Sequence, residues 1–343
     1  MIEHLWYGTD PAARAGRAAL TPFGWIWRGA VGARNRLYDR GVFRSLPTAL
    51  PALSIGNLSA GGTGKTPFAS HVAGALLARG ARPCVVLRGY GGDEEEVHRT
   101  LQPDIPVVVD ADRARGVATA RAQGCDIAIL DDAFQHRRVR RLEDVVLVSA
   151  DVPWVERTLP AGPLREPPAA LRRASLIVVT CKAVPAEQAR ELAGRLERTS
   201  GLPVTSVRLR AHELLHAGST DEPLPLAALS GRRVLLVAGI GDPKALLRQI
   251  EAAGADPSTL FFPDHHRYTA ADVASLTTRA AGADFVVCTL KDAVKLKALW
   301  PDKAPALMYV SQRVELMSGE GHLQAALDRL LAARTPTLST TAG

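Results

Sequence analysis

Aromatic side chains are scarce, at 5% of 343 residues. So thin a supply leaves no interleaved stacking platform for single-stranded nucleic acid. Cysteine is also rare: Cys84, Cys125, Cys181 and Cys288 are the four present, and none forms a CxxC pair. That excludes a disulfide framework and a cysteine zinc site, and predicts buried free thiols in a reducing compartment. Apolar runs never approach the roughly 20 residues of a membrane span. Glu3, His4 and Asp10 interrupt the start, so no signal peptide is expected. What remains is ample apolar content, 47%, with 22% charged residues and a net charge of +7. The length suggests about two domains. The positive balance favours an anionic partner: nucleic acid, anionic lipid or a phosphorylated substrate.

The segment Ser54-Ile-Gly-Asn-Leu-Ser-Ala-Gly-Gly-Thr-Gly-Lys-Thr-Pro67 carries the strongest chemical signal. Ala52 to Ile55 suit a buried strand, and Phe68 to Ala78 read as a helix. Between them Gly61, Gly62 and Gly64 let backbone N–H groups approach phosphate oxygens. A phosphate-binding loop follows, spanning Ser59, Ala60, Gly61, Gly62, Thr63, Gly64, Lys65 and Thr66. Lys65 can reach β- and γ-phosphates, and the Thr66 hydroxyl can ligate Mg²⁺. The helix N-terminus adds its own preference for an anion. Ser59 stands where the usual loop has its first glycine. The expected ligand is ATP or another nucleoside triphosphate.

Short apolar strands alternate with helical patterns along the chain. Strands are predicted at 83–87, 106–110, 126–130, 144–149 and 175–180, with helices at 112–123 and 185–198. A second series has strands at 233–237, 258–262, 284–289 and 308–311. Its helices fall at 243–253, 269–281, 292–299 and 321–333. This alternation predicts an α/β fold: a P-loop three-layer α/β/α domain, 46–205, and a second, smaller α/β/α domain, 232–334. Residues 206–231 read as an irregular linker and 335–343 as a frayed tail. Residues 1–45 stand apart. From Phe23 onward Ile26, Trp27, Ala30, Val31, Leu37 and Tyr38 recur at helical spacing, with Arg28, Arg36 and Arg40 largely opposite. A basic amphipathic helix bearing tryptophans suits a membrane surface, or else packs on the domain.

After the predicted strand 126–130 stand Asp131 and Asp132, where a P-loop protein places its Mg²⁺ carboxylate. Arg137, Arg138, Arg140 and Arg141 follow, either a solvated face or an anion site. Arg88-Gly-Tyr-Gly-Gly-Asp-Glu94 directly follows a strand. Phe262-Pro-Asp-His-His-Arg-Tyr268 lies in a strand-to-helix loop, with Thr269 and Asp272 spaced as a capping box. Strand ends of this kind line the crevice of open α/β sheets. No HxxxH spacing points to zinc.

In combination these segments resemble the tetraacyldisaccharide 4′-kinase family, from about residue 20 to about 330. The carriers are Gly56-Asn57 with Gly61–Pro67, Arg88-Gly-Tyr90, Asp131-Asp132 with Gln135-His136, and Leu159-Pro-Ala-Gly-Pro-Leu-Arg-Glu-Pro167. Ala238-Gly-Ile-Gly241, Phe262-Pro-Asp-His265 and Lys291-Asp-Ala-Val-Lys295 complete the set. The resemblance implies phosphoryl transfer from ATP to the 4′-hydroxyl of tetraacyldisaccharide 1-phosphate, giving lipid IVA. It implies a cleft between two α/β/α domains, and peripheral action at the cytoplasmic face of the inner membrane. It further implies Lys65 on the β/γ-phosphates, Thr66, Asp131 and Asp132 around Mg²⁺, and Asp93 as base with His265 as partner. Arg88, Tyr90, Glu94, His136, Arg165 and Glu166 match positions near the substrates. Domain closure around ATP is expected to bring His265 to Asp93. A lipid substrate and the membrane surface are the expected partners, with no nucleic acid, and a monomer is favoured.

The departures are specific. Asp93 follows Tyr90 almost at once, where the family often inserts a long segment, and Asp104 and Asp110 are the alternatives for the base. Ala133, Leu142 and Leu290 replace the glycine, acid and glutamate often seen at those places. The competing class is a P-loop switch or partitioning ATPase at the membrane surface. Its extra lysine before the paired glycines is Ala60 here. The guanine motif of a GTP switch fails too: Thr180-Cys-Lys-Ala-Val184 has the lysine but not the aspartate.

Overall fold

The computed structural model describes residues 2–89, 93–219, 221–264 and 266–334. The first half begins with helices α1 (Ile2–Tyr7) and α2 (Pro11–Asp39). It continues β1 (Ala52–Asn57), α3 (Lys65–Ala78), β2 (Pro83–Leu87), α4 (Asp93–Leu101), β3 (Val107–Val109), α5 (Arg113–Ala122), β4 (Ile127–Asp131) and β5 (Glu143–Ser149). A 3-10 turn at Pro168–Arg173 precedes β6 (Leu176–Cys181), α6 (Ala186–Ser200), β7 (Val204–His216) and β8 (Leu224–Pro225). The second half has β9 (Arg233–Ala238), α7 (Pro243–Ala252), β10 (Asp256–Phe261), α8 (Ala270–Arg279), β11 (Phe285–Thr289), α9 (Leu290–Leu296), β12 (Leu307–Ser318) and α10 (Glu320–Ala332).

Among the described residues twelve strands join one sheet, ordered β10-β9-β11-β12-β7-β6-β5-β1-β4-β2-β3, with β8 on β7. Pairings are parallel except β12–β7 and β7–β8. The two-residue period of a strand sends alternate side chains to opposite layers. Leu53 and Ile55 of β1 meet Phe68, Val72 and Leu76 of α3, while Ala52 faces Val117 and Ala120 of α5. In the second half α8 and α9 cover one face and α7 the other. The three-layer α/β/α expectation therefore holds for both halves.

Two segments depart from the sequence reading. The expected linker 206–231 instead contains most of β7, whose thirteen residues are the longest strand in the sheet. Also, α10 does not stay with the second half. Its Leu323, Leu327 and Leu330 enter the core beside α3, and Arg329 holds the buried Glu143 at 2.6 Å. The chain crosses to the second half along β7 and returns along β12.

Candidate active site

The phosphate loop leaves β1 and enters α3. Gly64 caps that helix at φ 83°, left-handed backbone that favours glycine, and a Cβ there would collide with Leu209. Three side chains hold the loop in shape. Asn57 donates to the Thr63 hydroxyl (3.0 Å), the Thr180 hydroxyl donates to the Thr63 carbonyl (2.9 Å), and Lys182 Nζ donates to the Gly62 carbonyl (2.8 Å). The cradle runs from Gly61 to Thr66, all of which line a cleft of about 260 Å³. Ser59 and Ala60, expected in it, lie behind. Ser59 bridges Leu164, and the Ala60 amide is spent on the Pro163 carbonyl at 2.8 Å, so it cannot bind phosphate.

The paired aspartates end β4 and face Lys65. Asp132 lies 3.5 Å from Lys65 Nζ and accepts from Arg165 Nη1 at 3.1 and 3.2 Å. Its φ of 47° is left-handed, a strained turn that presents the carboxylate to the cleft. Asp131 is buried and takes a hydrogen bond from His98 at 3.0 Å. Burial alone would push its carboxyl up. The hydrogen bond and charge of His98, with Lys65 and Lys291, more than offset that and hold it below the usual carboxylate range. Two acid oxygens and the Thr66 hydroxyl are hard donors suited to Mg²⁺. Glycine cradle, lysine and oxygen set together fit a magnesium-bound nucleoside triphosphate.

Asp93 opens α4, and Lys295 Nζ from α9 lies 3.0 Å from its Oδ2. Glu94 faces the cleft. Burial pushes its carboxyl up, Lys291 pulls it back, and the neighbouring carboxylates of Asp131, Asp132 and Asp93 keep it above the ordinary value. Arg88 follows β2 and is exposed. His136 follows the paired aspartates, and its buried Nε2 makes no hydrogen bond. Its imidazole is pushed down by burial and by Arg113, Arg141 and Arg88. Glu166 is placed differently from the expected substrate contact. It is fully buried, pairing with Arg173 at 2.9 and 3.0 Å and accepting from Asn35 of α2 at 2.7 Å. Its carboxylate docks the N-terminal helix. Tyr90 and His265 lie outside the described residues.

The second half supplies the opposite wall. A Cβ at Gly241 would lie 3.5 Å from the Gly62 amide nitrogen, so the Ala238–Gly241 loop abuts the phosphate loop. Lys291 reaches the cleft from α9. Of the alternative bases, Asp110 is bound twice by Arg115, at 2.6 and 2.7 Å, and Asp104 is exposed.

With this geometry in place, similarity to known proteins is decisive. The family model for tetraacyldisaccharide-1-P 4′-kinase matches residues 16–332. This chain belongs to that family. The tetraacyldisaccharide 4′-kinase of Anaeromyxobacter sp. (strain K) is 38% identical over 97% of this chain and 96% of its own. That of Syntrophus aciditrophicus is 35% identical over 94% and 96% respectively. The crystal structure of LpxK from Aquifex aeolicus, in complex with ATP, superposes with a TM-score of 0.72 at 28% identity, covering 92% of this chain and 99% of that one. Family membership also explains the order of the motifs around the cleft. It leaves His98, Lys182 and Arg113 to be found in three dimensions. Arg113 is 4% exposed, donates to the Asp131 carbonyl at 3.3 Å, and is pushed down to about 10 by burial. None of these three stands in a recognisable sequence pattern; Lys182 is legible only as the remnant of a guanine motif.

Proposed function

We propose that this kinase transfers the γ-phosphoryl group of ATP to the 4′-hydroxyl of a tetraacyldisaccharide 1-phosphate, giving lipid IVA. The observation that carries the reading is the arrangement of one cleft. The glycine cradle, Lys65 and the paired aspartates form one wall, and α4, which lines the cleft through Glu94 and Val97 and begins at Asp93, is tied to the other half by the Asp93–Lys295 pair. Lys65 would neutralise the β- and γ-phosphates. Thr66, Asp131 and Asp132 would hold Mg²⁺, which when bound supplies further charge neutralisation on those oxygens. Asp93 would take the proton of the acceptor hydroxyl as its oxygen bonds to phosphorus and the bond to the β-phosphate oxygen breaks, releasing ADP. A hydroxyl is far too weak an acid to ionise first, so proton removal accompanies attack. General-base help of this kind is typically worth about 10²–10⁴-fold. Positioning and charge neutralisation supply the remainder. Arg88, Glu94, His136 and Arg165 would contact the sugar and its phosphates.

The substrate is a lipid, and α2 gives the enzyme a way to meet it. Phe23, Trp25 and Ile26 are 59%, 70% and 70% exposed beside Arg28, a combination that suits the headgroup boundary of a bilayer. Among the described residues no helix is long and apolar enough to cross a membrane. Peripheral action at the cytoplasmic face of the inner membrane follows from this reading. The test is transfer of labelled γ-phosphate to tetraacyldisaccharide 1-phosphate in mixed micelles, comparing the intact chain with Asp93→Ala. Transfer that collapses in the variant supports kinase and base together. Transfer that survives moves the base elsewhere, and lipid-independent ATP hydrolysis without transfer refutes the kinase reading.

A further inference from the structure

His98 lies on α4, five residues beyond Asp93, and is 2% exposed. Its Nε2 is 3.0 Å from Asp131 Oδ2. A carboxylate held ionised only accepts, so the imidazole donates. The other oxygen, Oδ1, accepts the Asp132 amide at 2.9 Å. Each oxygen of Asp131 thus has a fixed donor, which sets the plane of a carboxylate that lines the cleft. A residue serving only as packing would be apolar, because a buried imidazole costs free energy unless its polar atoms are used. The same helix is anchored at its other end. Asp93 pairs with Lys295 at 3.0 Å, and Glu96 with Lys297 at 2.6 Å. At 1.5 Å rise per residue, about 7.5 Å of rigid helix separates Asp93 from His98. One element therefore spaces the carboxylate at the phosphates from the carboxylate at the acceptor.

We propose that His98 is a positioning residue, whose Nε2–H aims Asp131 at the divalent cation and locks the helix bearing Asp93 to that carboxylate. The inference rests on Asp131 holding the cation. Outer-shell partners of metal ligands typically change metal affinity by about 10–100-fold when removed.

The test measures Mn²⁺ binding by electron paramagnetic resonance, using the full chain saturated with a non-hydrolysable ATP analogue. His98→Leu keeps the volume and loses the donor; His98→Gln keeps an amide donor near the Nε2 position. Expected is a drop in Mn²⁺ affinity of about 10–100-fold in H98L, with H98Q close to the parent and nucleotide affinity in chelator unchanged. Transfer by H98L should recover at high Mg²⁺ with the KM for lipid unaltered. Parental Mn²⁺ affinity in H98L, or equal losses in both variants, overturns the proposal. A parent chain that binds no Mn²⁺ with nucleotide overturns the cation assignment beneath it. If H98L does not fold by circular dichroism, His98→Asn replaces it: its amide is too short to reach Asp131, so the loss should appear in H98N and not in H98Q.

Discussion

Asp292 should be the costliest carboxylate to remove from the second half. It is fully buried in the first turn of α9. Oδ1 accepts from the Gly239 amide at 3.1 Å and the Tyr268 hydroxyl at 2.9 Å, while Oδ2 accepts from the Thr289 hydroxyl at 2.6 Å. Three donors thus converge from the end of β9, the approach to α8 and the cap of α9. Hydrogen bonds to a charged group are worth about 1.5–3 kcal/mol each, and a buried donor left unpaired costs about 1–3 kcal/mol. The Thr289 hydroxyl can turn elsewhere, but the Gly239 amide and Tyr268 hydroxyl cannot. Asp292→Ala should therefore destabilise by about 3–5 kcal/mol, near the upper end for a single substitution. Asp292→Asn keeps one acceptor oxygen and turns an N–H₂ toward a donor, so about 2–3 kcal/mol is expected. Tyr268→Phe removes one bond, about 1–2 kcal/mol. The assay is guanidinium unfolding followed by tryptophan fluorescence, since Trp300 packs on the same cluster. Because Gly239 leads into the loop beside Gly62, the KM for ATP should rise in D292N. In a double-mutant cycle D292A and Y268F should be strongly non-additive. Additive effects, or an unshifted midpoint in D292A, would refute the reasoning.

Trp25→Glu with Ile26→Glu should weaken sedimentation with anionic vesicles by more than tenfold, since burying each side chain is worth about 1.5–3 kcal/mol. Soluble ATP binding should stay intact, and undiminished vesicle binding would place membrane contact elsewhere. Stability should fall on acidification from about pH 7 toward 5. His71 and His136 are both pushed below the ordinary imidazole value, chiefly by burial, so the unfolded chain takes up protons first. Their contribution is present above about 6.5 and is lost as pH falls toward the lowered folded values. Urea midpoints across that range measure it; His71→Gln should flatten the slope, and an identical slope would remove His71 from the account.

Local chemistry was the legible part. Thr269 with Asp272 closes a capping box at α8 where the sequence places it, and α5 begins at Arg113, one residue inside the expected 112–123 helix. The phosphate loop and paired aspartates were legible because backbone geometry and metal chemistry demand particular residues at fixed spacing. Long-range pairing was not. In β7 the apolar residues Val207, Leu209, Ala211 and Leu214 do not keep a strict alternation, because a register shift opposite Val310 and Gln312 interrupts the period. His98 was illegible for another reason. Its partner lies 33 residues away, and no local spacing in the sequence links the two. Glu166 misled because a motif glutamate beside a cleft arginine looks like a substrate contact. Only the packing of α2 shows that its carboxylate faces Asn35 and Arg173.

The shared sheet also limits how the cleft can move. From the first half to the second it passes through the β7–β12 ribbon. β7 pairs in parallel with β6 over Val204–Arg208 and antiparallel with β12 from Ser206 to His216. Sliding one half past the other would break that ladder, whereas bending it at an irregularity would not. The register shift between Val310 and Gln312 supplies one, and bulges of this kind bend a strand. Val310, Ser311 and Gln312 line the cleft, so the bend lies directly beneath the nucleotide site. Across the cleft Lys295 already meets Asp93 and Lys297 meets Glu96, tying α4 to α9. From this connectivity a small flexion is the expected motion, in place of the domain closure expected of two separate α/β/α units. ATP with Mg²⁺ should leave the radius of gyration from small-angle scattering within error of the free protein. A clear contraction would mean that the α4–α9 ion pairs form only on binding, and that the halves swing apart without nucleotide.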